Sequence, residues 1–205
     1  MKRFRRILRI ISLVFFVLLT TNAKGQTADS IISNMDNVEV SLLTCGPGNE
    51  VYSLFGHTAI RVCQPSRGMD IVVNYGMFSF KQKYFIPRFV LGLTDYQMGI
   101  TKFDDFKAEY EYEKRWVFEQ TLNLTSKEKS ALLQAIDRNY KPENVTYRYN
   151  FFYNNCTTKA RDLIAANIDG KIKYNSATSD YPSFRELCHS KTLNNRCSQL
   201  GTALL

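Results

Sequence analysis

The sequence predicts an α+β domain, a small antiparallel sheet with helices packed on it. Three observations point there. Short alternating strand-like runs crowd the first two thirds of the chain, two strongly periodic helical runs follow Thr125, and a composition of 44% hydrophobic and 22% charged residues matches an ordinary globular protein. At 205 residues the chain has the length of one domain with its own core.

Residues 1–25 read as a secretory signal: a cationic start (MKRFRR), an apolar run from Ile10 to Leu19 broken only by Ser12, then small residues at Ala23 and Gly25. That run is about half of the roughly 20 residues a spanning helix needs, so an uncleaved anchor is the weaker reading. The formal charge of +8 is located here too. Lys2, Arg3, Arg5, Arg6, Arg9 and Lys24 precede Gln26, and without them 21 basic side chains face 19 acidic ones. The excess charge that nucleic-acid binding needs therefore leaves with the signal, and no nucleic-acid partner is expected. The remaining domain is expected in the periplasm or at an outer surface.

A polar linker (26–37) leads to a strand over Val38 to Thr44, and Gly46-Pro47-Gly48-Asn49 is a strong turn signal. Val51 to Val62 carries a second strand, with His57, Ala59 and Arg61 on one side and Thr58, Ile60 and Val62 on the other. Asp70 to Tyr75 is a third, ended by Gly76, and Trp116 to Leu124 a fourth. Thr125 and Glu128 form a T-x-x-E capping box before a helix that runs to about Tyr140 and is closed by Pro142. After the aromatic run Tyr147 to Tyr153, Asn155 is the N-cap of a second helix from Cys156 to Ala166. Tyr84 to Leu93, flanked by Lys81, Lys83, Arg88 and Lys102, reads first as core and second as an interfacial patch.

Five cysteines in an oxidising compartment leave one over. Spacing allows Cys45 with Cys63 and Cys188 with Cys197, although four cysteines permit three connectivities, and it leaves Cys156 unpaired. A thiol in the first turn of a helix meets backbone N–H groups and the positive end of the macrodipole, both of which favour thiolate. The bland alternative is a small buried hydrophobe. If Cys156 is a nucleophile it needs a base, and the chain offers only His57 and His189. His57 is better placed, at a strand start after Gly56, whereas His189 lies in a polar stretch near the terminus. Asn74, on the next strand, is the candidate to orient the imidazole, or it merely opens the turn before Gly76. Tyr52 and Glu50 are weaker candidates for that job or for an oxyanion, and Tyr52, Tyr153 and Asn155 are the expected substrate-binding residues. There is no C-x-x-C, H-E-x-x-H, G-x-S-x-G or phosphate-binding glycine loop, so no metal and no cofactor are expected.

The order of an early strand histidine and a distant helix-opening cysteine resembles the circularly permuted papain-like thiol enzymes, including the lecithin:retinol acyltransferase type. More closely, LLTCGPGNEVYSLFGHTAIRV, VVNYGMFSF, EYEYEKRWVFEQTLNLTSKEKSALLQAI and YRYNFFYNNCTTKARDLI resemble the N-terminal periplasmic domain of the Lnb lipoprotein N-acyltransferases. The likeness runs from about Val38 to Ile168 and is most specific at G-H-T and N-N-C-T. It implies a permuted papain-like thiol catalytic domain over 38–185 and a tail over 186–205 that lacks the C-terminal membrane region of longer members. It also implies His57 and Cys156 as the catalytic pair, with Asn74 as orienter by analogy to the wider superfamily. The implied partners are a membrane surface, a phospholipid acyl donor and the α-amine of a lipoprotein N-terminal cysteine, joined through a thioester on Cys156. A thiol hydrolase, peptidase or esterase, on the same scaffold and a non-catalytic envelope-binding domain are the alternatives. The geometric expectation is a Cys156 sulfur within about 4 Å of a His57 ring nitrogen.

Overall fold

The computed structural model describes residues 35, 37–78, 83–84, 87–88, 91, 93–170, 172 and 182–192. The chain divides into Met1–Asn34 and Met35–Leu205. The expected signal falls in the first unit and lies outside the described residues.

The second unit is an α+β domain. Its strands are β1 (Glu39–Cys45), β2 (His57–Gln64), β3 (Met69–Met77), β4 (Asp95–Lys102), β5 (Val117–Thr121) and β6 (Thr146–Arg148). They form one antiparallel sheet in the order β5-β1-β2-β3-β4-β6. The helices are α1 (Phe103–Tyr112), α2 (Ser126–Tyr140), α3 (Cys156–Ala166) and α4 (Phe184–Thr192).

Alternation along the central strands divides their side chains between two apolar clusters. Val40, Ile60, Val62, Val73 and Met98 pack with Leu132 and Ile136 of α2 and with Ala160 and Ile164 of α3. Leu43, Cys45, Ala59 and Val72 pack with Phe106 and Tyr110 of α1. The β2 pattern read from sequence is reproduced, with Ala59 in one cluster and Ile60 and Val62 in the other. Burial of these aliphatic side chains, each worth roughly 1.5–3 kcal/mol, is what holds helices to the sheet.

Several expectations are corrected. The strand starting at Val51 is instead a 3-10 turn over Val51–Ser53, and β2 begins only at His57. β3 does not stop at Gly76: its pairing with β4 shifts register between Asn74 and Met77, and the strand continues through this bulge. β4, α1, β6 and α4 had no counterpart among the expected elements, and α4 runs across the anticipated boundary at residue 185. Cys45 and Cys63 sit on adjacent strands but at opposite ends of the ladder, Cys45 opposite His57 and Cys63 opposite Glu39. Six residues of strand, about 20 Å, separate them, far beyond the span of a disulfide. Both are free, as is Cys188, while Cys197 lies outside the described residues. Within Tyr84 to Leu93, Tyr84, Leu91 and Leu93 are exposed rather than core. Among the described residues no helix is long and apolar enough to cross a membrane.

Candidate functional site

Three elements meet at one end of the sheet: the start of β2, the bulge of β3 and the first turn of α3. Gly56 turns the chain into β2 with φ +75°, and a side chain there would collide with the Cys45 carbonyl. His57 follows at once, so its imidazole is carried by the first residue of a rigid, doubly paired strand. Gly76 in the bulge has φ +92°, and an added Cβ would lie 3.7 Å from the Cys156 Cβ. The bulge thus brings backbone against the cysteine. On the helix side, Asn155 Oδ1 accepts from the Thr158 amide at 2.9 Å and the Asn155 amide donates to Thr158 Oγ1 at 2.8 Å. This capping box fixes Cys156 as the first helical residue.

The side chains of Cys156 and His57 are near enough that each shifts the titration of the other. On its other side His57 Nε2 lies 3.1 Å from Asn74 Oδ1. Asn74 is itself buried, and its amide Nδ2 donates to Thr101 Oγ1 at 3.2 Å, so its oxygen is the atom turned to the histidine. An oxygen can only accept, which makes Nε2 the protonated nitrogen and leaves Nδ1 for the sulfur. Around the sulfur stand the backbone N–H of Thr58 and the hydroxyl of Thr157. Thr157 Oγ1 is also 2.9 Å from Thr58 Oγ1, which ties α3 to β2 beside the thiol.

Electrostatics separates Cys156 from the other described cysteines. Burial pushes its thiol up, but the hydrogen bond and charge of His57, with donation from Thr58 and Thr157, outweigh that and bring it down from 9.0 to about 7. Burial also opposes a charged His57. The bond and charge of Cys156 and the acceptor on Asn74 overcome this and the repulsion of Arg115, so His57 is raised above its ordinary value. Each partner favours the charged form of the other. Cys45, directly opposite His57 in the ladder, behaves in the reverse sense. Burial lifts it to about 11 in spite of a hydrogen bond to Tyr110 and the nearby Arg115. Cys63 and Cys188 are likewise raised by burial.

The remaining expected residues have different surroundings. Tyr52 and Tyr153 are exposed, at 54% and 71%. Tyr52 makes an edge contact with Phe78, and Tyr153 packs edge-on against Phe184. Asn155 uses its oxygen on the cap and its Nδ2 on the Phe151 carbonyl at 2.7 Å, so both ends of the amide are committed to local structure rather than to a ligand. His189 is exposed on α4, and Glu50 precedes the 3-10 turn, its carbonyl taking the Ser53 hydroxyl.

Sequence reading did not single out Thr58, Thr157 or Gly76 as neighbours of the sulfur. The first two flank His57 and Cys156 in the chain, and that adjacency was the available signal. Arg115 was missed as well. It is nearly buried, bonded to the Gly46 carbonyl at 2.9 Å and to Glu113 at 2.6 Å, and lies over the Tyr110 ring. Among the described residues no cluster of three or more histidine, cysteine or carboxylate side chains is arranged to hold a metal.

A family model described as the Lnb N-terminal periplasmic domain matches residues 29–190. Comparison with curated proteins and with solved structures gives no match.

Proposed function

The chain belongs to the Lnb N-terminal periplasmic domain family, and on that premise we propose that it is an exported thiol acyltransferase with Cys156 as nucleophile and His57 as its acid–base partner. The reaction is the transfer of an acyl chain from a phospholipid to the α-amine of a lipoprotein N-terminal cysteine. The observation that carries this reading is the convergence at Cys156, which opens α3 beside the start of β2, where Thr157 Oγ1 lies 2.9 Å from Thr58 Oγ1 and the adjacent His57 is held through Nε2 by Asn74; the lowered pKa of the thiol agrees with it.

The Cys156 thiolate attacks the phospholipid ester carbonyl. As the tetrahedral intermediate collapses, the C–O bond breaks and the lysophospholipid oxygen takes the proton of the His57 imidazolium, leaving a thioester on Cys156 and a neutral imidazole. The lipoprotein amine then attacks the thioester carbonyl and gives a proton to His57, and the Cys156 thiolate departs as the amide forms. The enzyme returns to its starting ion pair. Asn74 acts on His57 alone, holding the ring so that Nδ1 faces the sulfur through both half-reactions. Tyr52, Phe55 and Tyr153 are exposed aromatics, the residue type that suits an amphipathic substrate. The cationic and apolar features of residues 1–25 supply the export signal.

Cys156 is only half-buried. Water as final acceptor, a thiol hydrolase, is therefore the second reading. Intact-mass measurement after incubation with phospholipid vesicles tests the first half-reaction. The expected product is a hydroxylamine-labile acyl adduct on Cys156, discharged by an added amine-terminal cysteine peptide with formation of the acyl-peptide. Discharge to free fatty acid alone would favour the hydrolase, and a Cys156 that neither acylates nor reacts with iodoacetamide would contradict both.

A further inference from the structure

Tyr147 lies on the short edge strand β6, opposite Tyr96 of β4. Its ring packs edge-on to Tyr75 at 6.3 Å, and the Lys159 ammonium sits 4.6 Å from its centroid. Lys159 is on the same turn of α3 as Cys156, its amide bonded to the Asn155 carbonyl. These contacts hold the phenol against the start of the helix that carries the nucleophile.

The Tyr147 hydroxyl is buried and has no hydrogen-bond partner, the one such side-chain oxygen or nitrogen among the described residues. The Tyr75 hydroxyl, by contrast, is met by Asn139 Nδ2 at 2.8 Å. A buried donor without an acceptor is costly, and where it persists beside reactive groups it points to a partner that arrives with the reaction. Gly76 connects it to the site. The Gly76 backbone and the charge of Cys156 are both close enough to shift the phenol, and a side chain added at Gly76 would lie 3.7 Å from the Cys156 Cβ. Burial first, then the charge of Cys156, hold the phenol in its protonated form, so at any working pH it is a donor.

We propose that Tyr147 is a further catalytic residue, whose phenolic O–H donates a hydrogen bond to the oxyanion formed when the Cys156 sulfur attacks a substrate carbonyl. This rests on the acyl-transfer reading above. No proton changes hands: the O–H stays with tyrosine, the negative charge gathers on the former carbonyl oxygen, and the bond is released when the carbonyl re-forms. A donor of this kind contributes little to binding a neutral ester and much to the charged intermediate.

The test compares two reactions of the same sulfur in wild type and Tyr147→Phe, a variant that keeps the ring and removes only the oxygen. Alkylation of Cys156 by iodoacetamide displaces iodide and generates no carbonyl oxyanion. Acylation by p-nitrophenyl butyrate does generate one. The expected result is an alkylation rate and pH midpoint within about twofold of wild type, and acylation slowed by roughly 10²–10³-fold. Equal acylation rates in the two proteins would overturn the role of Tyr147 while leaving the acyl-transfer reading intact. Parallel loss of alkylation and acylation would overturn it too, since that would mark a structural role. A wild-type protein that alkylates but forms no butyryl adduct would reject the acyl-transfer reading and this inference with it.

Discussion

At the start of α2, Thr125 Oγ1 accepts the Glu128 amide while the Glu128 carboxylate takes the Thr125 amide; at the start of α3, Asn155 Oδ1 and Thr158 Oγ1 make the same exchange. The first helical residue is Ser126 in one and Cys156 in the other, each with a short polar or thiol side chain at the positive end of a macrodipole. Their surroundings differ. The α2 start looks to the loop beyond α3, where the Glu128 carboxylate also accepts the Asp169 amide and Lys127 pairs with Asp169. The α3 start abuts the beginning of β2, so Cys156 meets the Thr58 amide and the His57 imidazole. A capped helix end is common to both, and the one that faces a strand histidine carries a thiol whose pKa is lowered. The strand, more than the dipole, accounts for the lowered thiol pKa of Cys156.

The largest effect expected from breaking this difference is at the pair itself. Cys156→Ser should abolish the hydroxylamine-labile adduct, and His57→Ala should slow acyl transfer at pH 7 by roughly 10²–10⁴-fold, measured as adduct formation against time. Asn74→Ala should cost less, roughly tenfold, because it removes one hydrogen bond that orients the ring while leaving sulfur and imidazole in place. Its signature is a slower turnover at unchanged overall stability to within about 1 kcal/mol, read from urea melts.

Cap removal separates the two helices at a smaller scale. Thr125→Ala and Asn155→Ala should each lose about 1 kcal/mol in urea unfolding. Only Asn155→Ala should also slow alkylation of Cys156, since only its helix presents the sulfur to His57. The smallest effect is also the most pointed for the comparison. Ser126→Cys places a thiol at the other capped start, and it should alkylate with the pH midpoint of an ordinary thiol, in the range of about 8–9, and take no acyl group. A midpoint near that of Cys156 would make the helix end sufficient and His57 incidental.

What could be read from the sequence tracks how local the signal was. α2 and α3 were visible because a cap and an apolar period lie within a few residues of each other, whereas the same reciprocal bonds between Ser183 and Glu186 at the start of α4 went unread. α1 was not visible. Its buried residues, Phe106 and Tyr110, are set among Asp104, Asp105, Lys107, Glu109 and Glu111, so little apolar stripe shows until the sheet covers it. β4 (DYQMGITK) lacks a clean alternation and contains Gly99, against which Met77 packs across the bulge. Within the candidate site, His57 and Cys156 stood out by residue type and scarcity. Asn74 needed the neighbouring strand, and the register that sets it opposite Ala59 brings it to the imidazole. The pairing of Cys45 with Cys63 failed for the same reason in reverse, because adjacency of strands says nothing about which ends meet. Tyr147 was hidden in an aromatic run where every ring looks alike until one hydroxyl is found without a partner.

The most direct measurement is the rate of iodoacetamide alkylation at Cys156, followed by peptide mapping from pH 5 to 10 in wild type and His57→Ala. Thiolate is the reacting form, so the rate rises with pH through the thiol pKa, and a lowered pKa moves that rise to lower pH. The expected midpoint is about 7 in wild type, displaced toward 9.0 when the imidazole is removed. Coincident profiles near 9.0 in both proteins would contradict the coupling of sulfur and imidazole on which the proposed chemistry stands.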